Sequence, residues 1–154
     1  MPDTQHVGKS GQLAVMAELA LRGYNVAIPE IDIGDDVFVV NNVSGSMWRI
    51  QVKTSRGRAQ KNSRAFQFRA AQASITNPQT PELDFSFVMR APDRWRFLIM
   101  DRAVLNNYVI GQHLGTAAGA FRQISITLHH NNTAVSSGID LTHHLENWNT
   151  WPPL

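Results

Sequence analysis

The run Trp48-Arg49-Ile50-Gln51-Val52-Lys53 constrains the fold of this 154-residue chain more than any other stretch. Its residue types suit a strand, and in a strand residues two apart share a face. Gln51 and Lys53 then project together, with Val52 in the opposite layer. Upstream, Val37 to Val40 is β-branched and aromatic, as a buried strand requires. Asn41 to Ser46, with Gly45, reads as a hairpin-type connection, so Met47 to Thr54 is expected to pair back on Val37 to Val40.

Around this hairpin the pattern alternates between helix and strand. Gly11 to Gly23 reads as a helix with Leu13, Met16, Ala17, Ala20 and Leu21 at helical spacing. Ser10 is placed to cap its start, and Gly23 stands where a left-handed terminator belongs. Tyr24 to Ile28 is a short extended segment ended by Pro29. Ser55 to Ser63 is polar and basic and is expected to be a mobile loop. Phe66 to Phe68 alternates like a strand, and Ala70 to Ile75 is weakly helical. Asp84 to Met89 and Trp95 to Met100 are strands joined by the turn Arg90 to Arg94. Arg102 to Val109 is a short helix, Gly111 to Gly119 a small-residue flexible stretch, Ile124 to Leu128 a strand, and Leu141 to Trp148 a terminal helix. The expected fold is α/β, a sheet flanked by helices, in one domain covering 1–154.

Composition restricts the partners. With 43% hydrophobic and 17% charged residues the chain can bury a core rather than stay disordered. There is no cysteine, so disulfides, thiolate metal sites and cysteine nucleophiles are excluded. No apolar stretch reaches a membrane span, and a soluble cytoplasmic protein is expected. Net charge is only +2, but it is unevenly distributed. From Arg49 to Arg69 there are seven basic residues (Arg49, Lys53, Arg56, Arg58, Lys61, Arg64 and Arg69) and no Asp or Glu. Such a run beside a candidate metal site favours nucleic acid as partner, with Arg49, Arg56, Arg58, Lys61 and Arg64 as contacts.

The metal reading follows from residue types. Phosphodiester hydrolysis needs an activated water, neutralised phosphoryl oxygens and help for the leaving oxygen, and bound Mg²⁺ or Mn²⁺ can supply all three. Mg²⁺ takes hard oxygen donors and keeps several waters, so one or two carboxylates suffice. Asp36, at the mouth of the Val37 to Val40 strand, is the first ligand. Asp35 replaces it if the register shifts by one. Gln51 offers a carbonyl oxygen, as does the backbone of Val52. Lys53 is suited to orient the attacking water or to stabilise developing charge. Glu18, a carboxylate within an apolar helix, is the further candidate, because on the inner side of that helix it needs a partner or a cation.

The order of these motifs resembles the PD-(D/E)XK nuclease superfamily, the restriction-endonuclease-like fold, and within it the Holliday-junction-resolvase-like and Mrr-type branches. Gly8-Lys9-Ser10-Gly11 through Glu18 to Gly23 matches an opening helix with a glutamate. Asp32-Ile33-Gly34-Asp35-Asp36 matches "D-x-G-x-D", and Gln51-Val52-Lys53-Thr54 matches "(E/Q)-V-K-(T/S)". The resemblance covers roughly residues 8 to 56. It implies a central mixed β-sheet and a catalytic set of Glu18, Asp36, Gln51 and Lys53. It also implies DNA as substrate, cut structure-selectively or under a partner's direction, and a homodimer for cutting two strands. Gln51 replaces the commoner acid, which removes one negative charge from the site. That departure leaves a catalytically inactive DNA-binding or interaction domain on the same fold as the alternative.

Overall fold

The computed structural model describes residues 3–31 and 37–151. Asp32 to Asp36, including both candidate aspartates, lie outside the described residues. The chain opens with α1 (Thr4–Leu21), capped by Asp3, whose Oδ1 accepts from the His6 amide at 3.0 Å. Ser10 is therefore not the cap. It sits one turn and a half into the helix, and its hydroxyl donates to the His6 and Val7 carbonyls. Gly23 does take a left-handed conformation, φ 87°, just past the helix end.

Two sheets follow. The first runs in the order β1 (Asn25–Ala27), β2 (Val37–Val40), β3 (Met47–Ser55), β6 (Leu83–Arg90), β7 (Trp95–Asp101). Its pairs are antiparallel except β3 with β6, which are parallel, so the sheet is mixed. A parallel pair needs a crossover. Here the crossover holds β4 (Arg58–Ala59), β5 (Ser63–Ala71) and α2 (Gln72–Thr76). The second sheet is antiparallel. It joins β4 and β5 to β9 (Phe121–His129), β10 (Ala134–Ser136) and β11 (Ile139–Asp140), with β8 (Thr116–Ala118) on β9. The third helix, α3 (Arg102–Gln112), lies between β7 and β8.

Alternation divides the core into two layers. On one side of the first sheet, Val37, Val39, Trp48, Ile50, Val52, Val88, Phe97 and Ile99 pack against Val15 and Leu19 of α1 and against Trp148 and Trp151. On the other side, Phe85, Phe87, Met89 and Leu98 pack against Phe66, Phe68, Ile124 and Ile126 of the second sheet and Leu105 of α3. Phe87 is central there, with ring centroids 5.2 Å from Phe68 and 6.0 Å from Phe85. The fold is thus α/β, a central mixed sheet flanked by helices.

Four expectations are corrected. Ser55 to Ser63 is not a loop throughout. Gly57, at φ 64°, turns the chain, and Arg58–Ala59 pairs back on β5. A Cβ at Gly57 would lie 2.7 Å from the Phe66 ring, so the turn leaves no room for a larger residue. The strand at Phe66 to Phe68 extends over Ser63–Ala71, because nine residue pairs with β9 supply its hydrogen bonds. The small-residue stretch after α3 is ordered by the burial of Leu114 and by β8. Leu141 to Trp148 is not a helix. Only Thr142–His144 makes a 3-10 turn, after which Leu145 bridges to Leu98 and the tryptophans enter the core. Buried apolar contacts outweigh weak helical propensity here.

Candidate active site

Strand β3 carries the site. Even-numbered residues from Trp48 to Val52 face α1. Gln51 and Lys53 therefore point to the opposite side, beside Phe85 and Phe87, their register partners on β6. The structure thus brings Gln51 and Lys53 onto one face. Gln51 is buried. Lys53 is half-buried, and its ammonium makes no hydrogen bond or ion pair among the described residues. A lysine in the middle of a central strand is costly unless its charge has a use or a partner beyond these residues. Val37, the first described residue of β2, pairs with Ile50. Val37 thus stands one register step from Gln51. Val52 is buried on the α1 side, so only its backbone belongs to this constellation.

Glu18 is placed elsewhere. Its carboxylate takes a hydrogen bond from Arg22 Nη1, one turn on, and the Arg22 guanidinium lies 4.8 Å over the Trp148 ring. Glu18 lines an open hollow with Trp95, Phe97 and Glu146, on the α1 side of the sheet. It stands seven residues, about two helical turns, beyond Gly11, where α1 touches Thr54 next to Lys53. The reason is the phase of α1. The helix buries Gly11, Gln12, Val15 and Leu19, while Leu13 and Leu21 are 52% and 82% exposed.

The polar residue that α1 buries is Gln12, which sequence reasoning passed over. It is 8% exposed, and its Oε1 accepts from Lys9 Nζ at 2.9 Å. Gly11 beside it permits the closest approach of helix to strand, since a Cβ there would fall 1.9 Å from Thr54 Oγ1. Gly11 thereby seats this part of α1, Gln12 with it, on Thr54, the residue after Lys53 in the chain. The signal was available, since Gly11, Val15 and Leu19 follow helical spacing with Gln12 on their flank.

The basic residues divide into two groups. Arg49 is tied down, with Nη2 donating to the Pro81 carbonyl at 2.8 Å and to Gln79 Oε1, and Nε to the same carbonyl at 3.1 Å. Arg64 donates to the carbonyls of Arg56 and Gly57 and so braces the β4–β5 hairpin. Arg56, Arg58 and Lys61 are exposed along that hairpin. No Asp or Glu occurs between Val37 and Pro81, or between Arg102 and Ile139.

Carboxylates cluster instead where β6 begins and β7 ends. Asp84 is 3% exposed and faces Asp101 in register. Burial, together with the Asp101 charge, pushes its pKa up to about 7, although Trp151 Nε1 donates to Oδ2 at 3.0 Å. Glu82 is held low, against the cost of its partial burial, by Arg102. Asp84 pairs with Ile50 of β3, in the row of Val37 and three residues before Phe87, the register partner of Lys53.

Comparison with known proteins adds one finding. No protein-family model matches the chain, and no curated protein matches it in sequence. Among solved structures, the chain is similar to a bacterial homing endonuclease, with a TM-score of 0.51 at 18% sequence identity, over 80% of this chain and 76% of that one. At that identity the likeness concerns the fold alone, and the fold it supports is an endonuclease-like α/β core.

Proposed function

We propose that this chain is a metal-dependent DNA endonuclease of the PD-(D/E)XK type, acting on branched or partner-presented DNA as a homodimer. One observation carries the reading. Gln51 and Lys53 share one face of a central strand of an endonuclease-like fold, and Ile50 beside them pairs with Val37, the residue that follows Asp36 in the sequence. The proposed donors are the Asp36 carboxylate, the Gln51 amide oxygen and the Val52 carbonyl. All are hard oxygens, which suits Mg²⁺ or Mn²⁺. When bound, the cation would neutralise the phosphate and lower the pKa of a water. Lys53 would hold that water or the developing phosphoryl charge, which its lack of an ion pair among the described residues leaves it able to do. Gln12 replaces Glu18 as the contribution of α1, since it is the polar side chain buried in the part of α1 that Gly11 seats on Thr54.

A second reading has its own support. Gln12 and Gln51 are both amides, so the donor set holds a single carboxylate, and a DNA-binding domain without catalysis would have the same appearance. Plasmid, branched and single-stranded DNA incubated with Mg²⁺ or Mn²⁺ separate the two. The nuclease reading expects cutting that falls at least about a hundredfold in Lys53→Ala, the scale of losing one charge-stabilising group. Equal cutting by wild type and Lys53→Ala removes the proposed chemistry, and binding without cutting in either metal selects the second reading.

A further inference from the structure

The second sheet has an outer face that neither the core nor the candidate site uses. Its inner face is filled by Phe66, Phe68, Ile124 and Ile126. The alternate residues therefore point outward, among them Gln67 and Arg69 on β5 and Gln123 and Ser125 on β9, all exposed. Register aligns them in rows. Arg69 stands opposite Gln123, which stands opposite Thr116 of β8, and Gln67 stands opposite Ser125. Arg58 lies beyond Ala65 on the same face.

Three properties of this face point to one partner. Across β4, β5, β9 and β8 it carries no carboxylate; Asp140, on the edge strand β11, stands two strands beyond β9 in the row of Thr127 and Val135. Its side chains are unspent, since those of Gln67, Arg69 and Gln123 make no hydrogen bond among the described residues. Arg69 is instead held flat, 3.8 Å over the Phe121 ring, with its donors directed outward. A hollow of about 100 Å³ opens between Gln67, Thr116, Gln123 and Ser125, enough for bridging water. Finally, β5, β9 and β8 together span about 10 Å at the usual ~4.8 Å strand spacing. The DNA major groove is about 12 Å wide and presents donors and acceptors that Arg and Gln pair with bidentately.

We propose that the β5–β9–β8 face lies in the major groove of duplex DNA, with Arg69, Gln67 and Gln123 reading base edges and Arg58 contacting phosphate. The proposal rests on DNA being the partner of the function argued above. Single strands fit less well, because the face offers one partly exposed aromatic, Phe121, and that ring is already covered by Arg69. Double-stranded RNA fits less well because side chains cannot read its deep, narrow major groove.

The test is anisotropy binding of the full chain to a random-sequence duplex without divalent metal, across a salt series. Wild type is compared with Arg58→Ala/Arg69→Ala and Gln67→Ala/Gln123→Ala, with circular dichroism to verify folding. The arginine pair is expected to weaken binding roughly tenfold or more, and loss of the Arg58 phosphate contact to flatten the salt slope by about one. The glutamine pair is expected to bind the random pool nearly as before but to lose the base preferences that wild type imposes on a selected pool. Folded variants with wild-type affinity, salt slope and preferences overturn the proposal while leaving the nuclease reading intact. Wild type that binds duplex through this face yet cuts nothing defeats the nuclease reading and upholds the groove contact. A wild type that prefers single-stranded DNA or RNA, or binds no duplex, overturns the proposal.

Discussion

Asp84 makes stability depend on pH in an unusual direction. The carboxyl is 3% exposed, faces Asp101 across β6 and β7, and accepts from Trp151 Nε1 and from the Arg102 amide. Its pKa is about 7 in the folded protein, against an ordinary 3.8. Between those values the folded chain keeps a proton that the unfolded chain has released. Unfolding free energy therefore falls as pH rises through that window and levels off above it. The gap from 3.8 to about 7 corresponds to on the order of 4 kcal/mol at pH 8. Asp84→Asn keeps an oxygen for Trp151 and removes the charge. It is expected to match wild type near pH 4 and to exceed it by up to that amount at pH 8. Urea unfolding followed by tryptophan fluorescence is a direct readout, because Trp148 and Trp151 are both buried beside the site. Other carboxylates titrate too, Glu82 in the opposite sense, so the informative quantity is the difference between the two proteins at each pH. Parallel curves, or a variant less stable than wild type at pH 8, would refute the argument. Asp101→Asn supplies a second check, since removing that neighbouring charge should move the wild-type slope to lower pH.

Gly11→Ala should destabilise by about 1–3 kcal/mol in urea, because its Cβ meets Thr54 Oγ1 at 1.9 Å and overpacking outweighs a helix-propensity gain of roughly 1 kcal/mol. Thr54→Ala in the same chain should recover part of the loss. Arg102→Ala should cost about 3 kcal/mol, since Arg102 is 6% exposed and joins Glu82 to the Ile75 carbonyl, which leaves the Glu82 charge without its counter-ion. A denaturation midpoint unchanged in that variant would show that the bridge is replaced by water. Gln51→Glu should raise Mn²⁺ affinity, read as a larger Mn²⁺-dependent rise in thermal midpoint than in wild type. The absence of any such difference would exclude Gln51 as a ligand.

The parts of the fold that were legible in the sequence are those in which local chemistry and tertiary contacts agree. Val37–Val40 and Met47–Ser55 flank a turn in which Asn41 Oδ1 accepts from the amides of Val43 and Ser44, so pattern and turn residues both specify the hairpin. β6 and β7 are legible for the same reason, with Arg90 pairing to Trp95 across the expected turn. The second sheet was not, because β5 and β9 pair across about fifty intervening residues and nothing local reports a partner so distant. Nor was the phase of α1. The helix is apolar nearly all round, so Leu13, Met16, Ala17, Ala20 and Leu21 make as plausible a stripe as Val15 and Leu19. Helix–strand packing decides between them, through the one residue small enough to touch Thr54, which is Gly11.

That phase bears on the chemistry as well as the packing. With the helix turned to bury Gln12, strand and helix each offer the proposed site a neutral amide. Under the proposed donor set a single carboxylate then faces a cation beside Lys53, and the free protein binds that cation weakly. A phosphodiester would supply the missing anionic oxygens, as substrate phosphates commonly do for Mg²⁺. Metal and DNA affinities would in that case rise together, because coupling between two ligands is reciprocal. The acid-free β5–β9–β8 face fits the same logic. A site poor in its own negative charge gains from a scaffold that brings the substrate's charge to it.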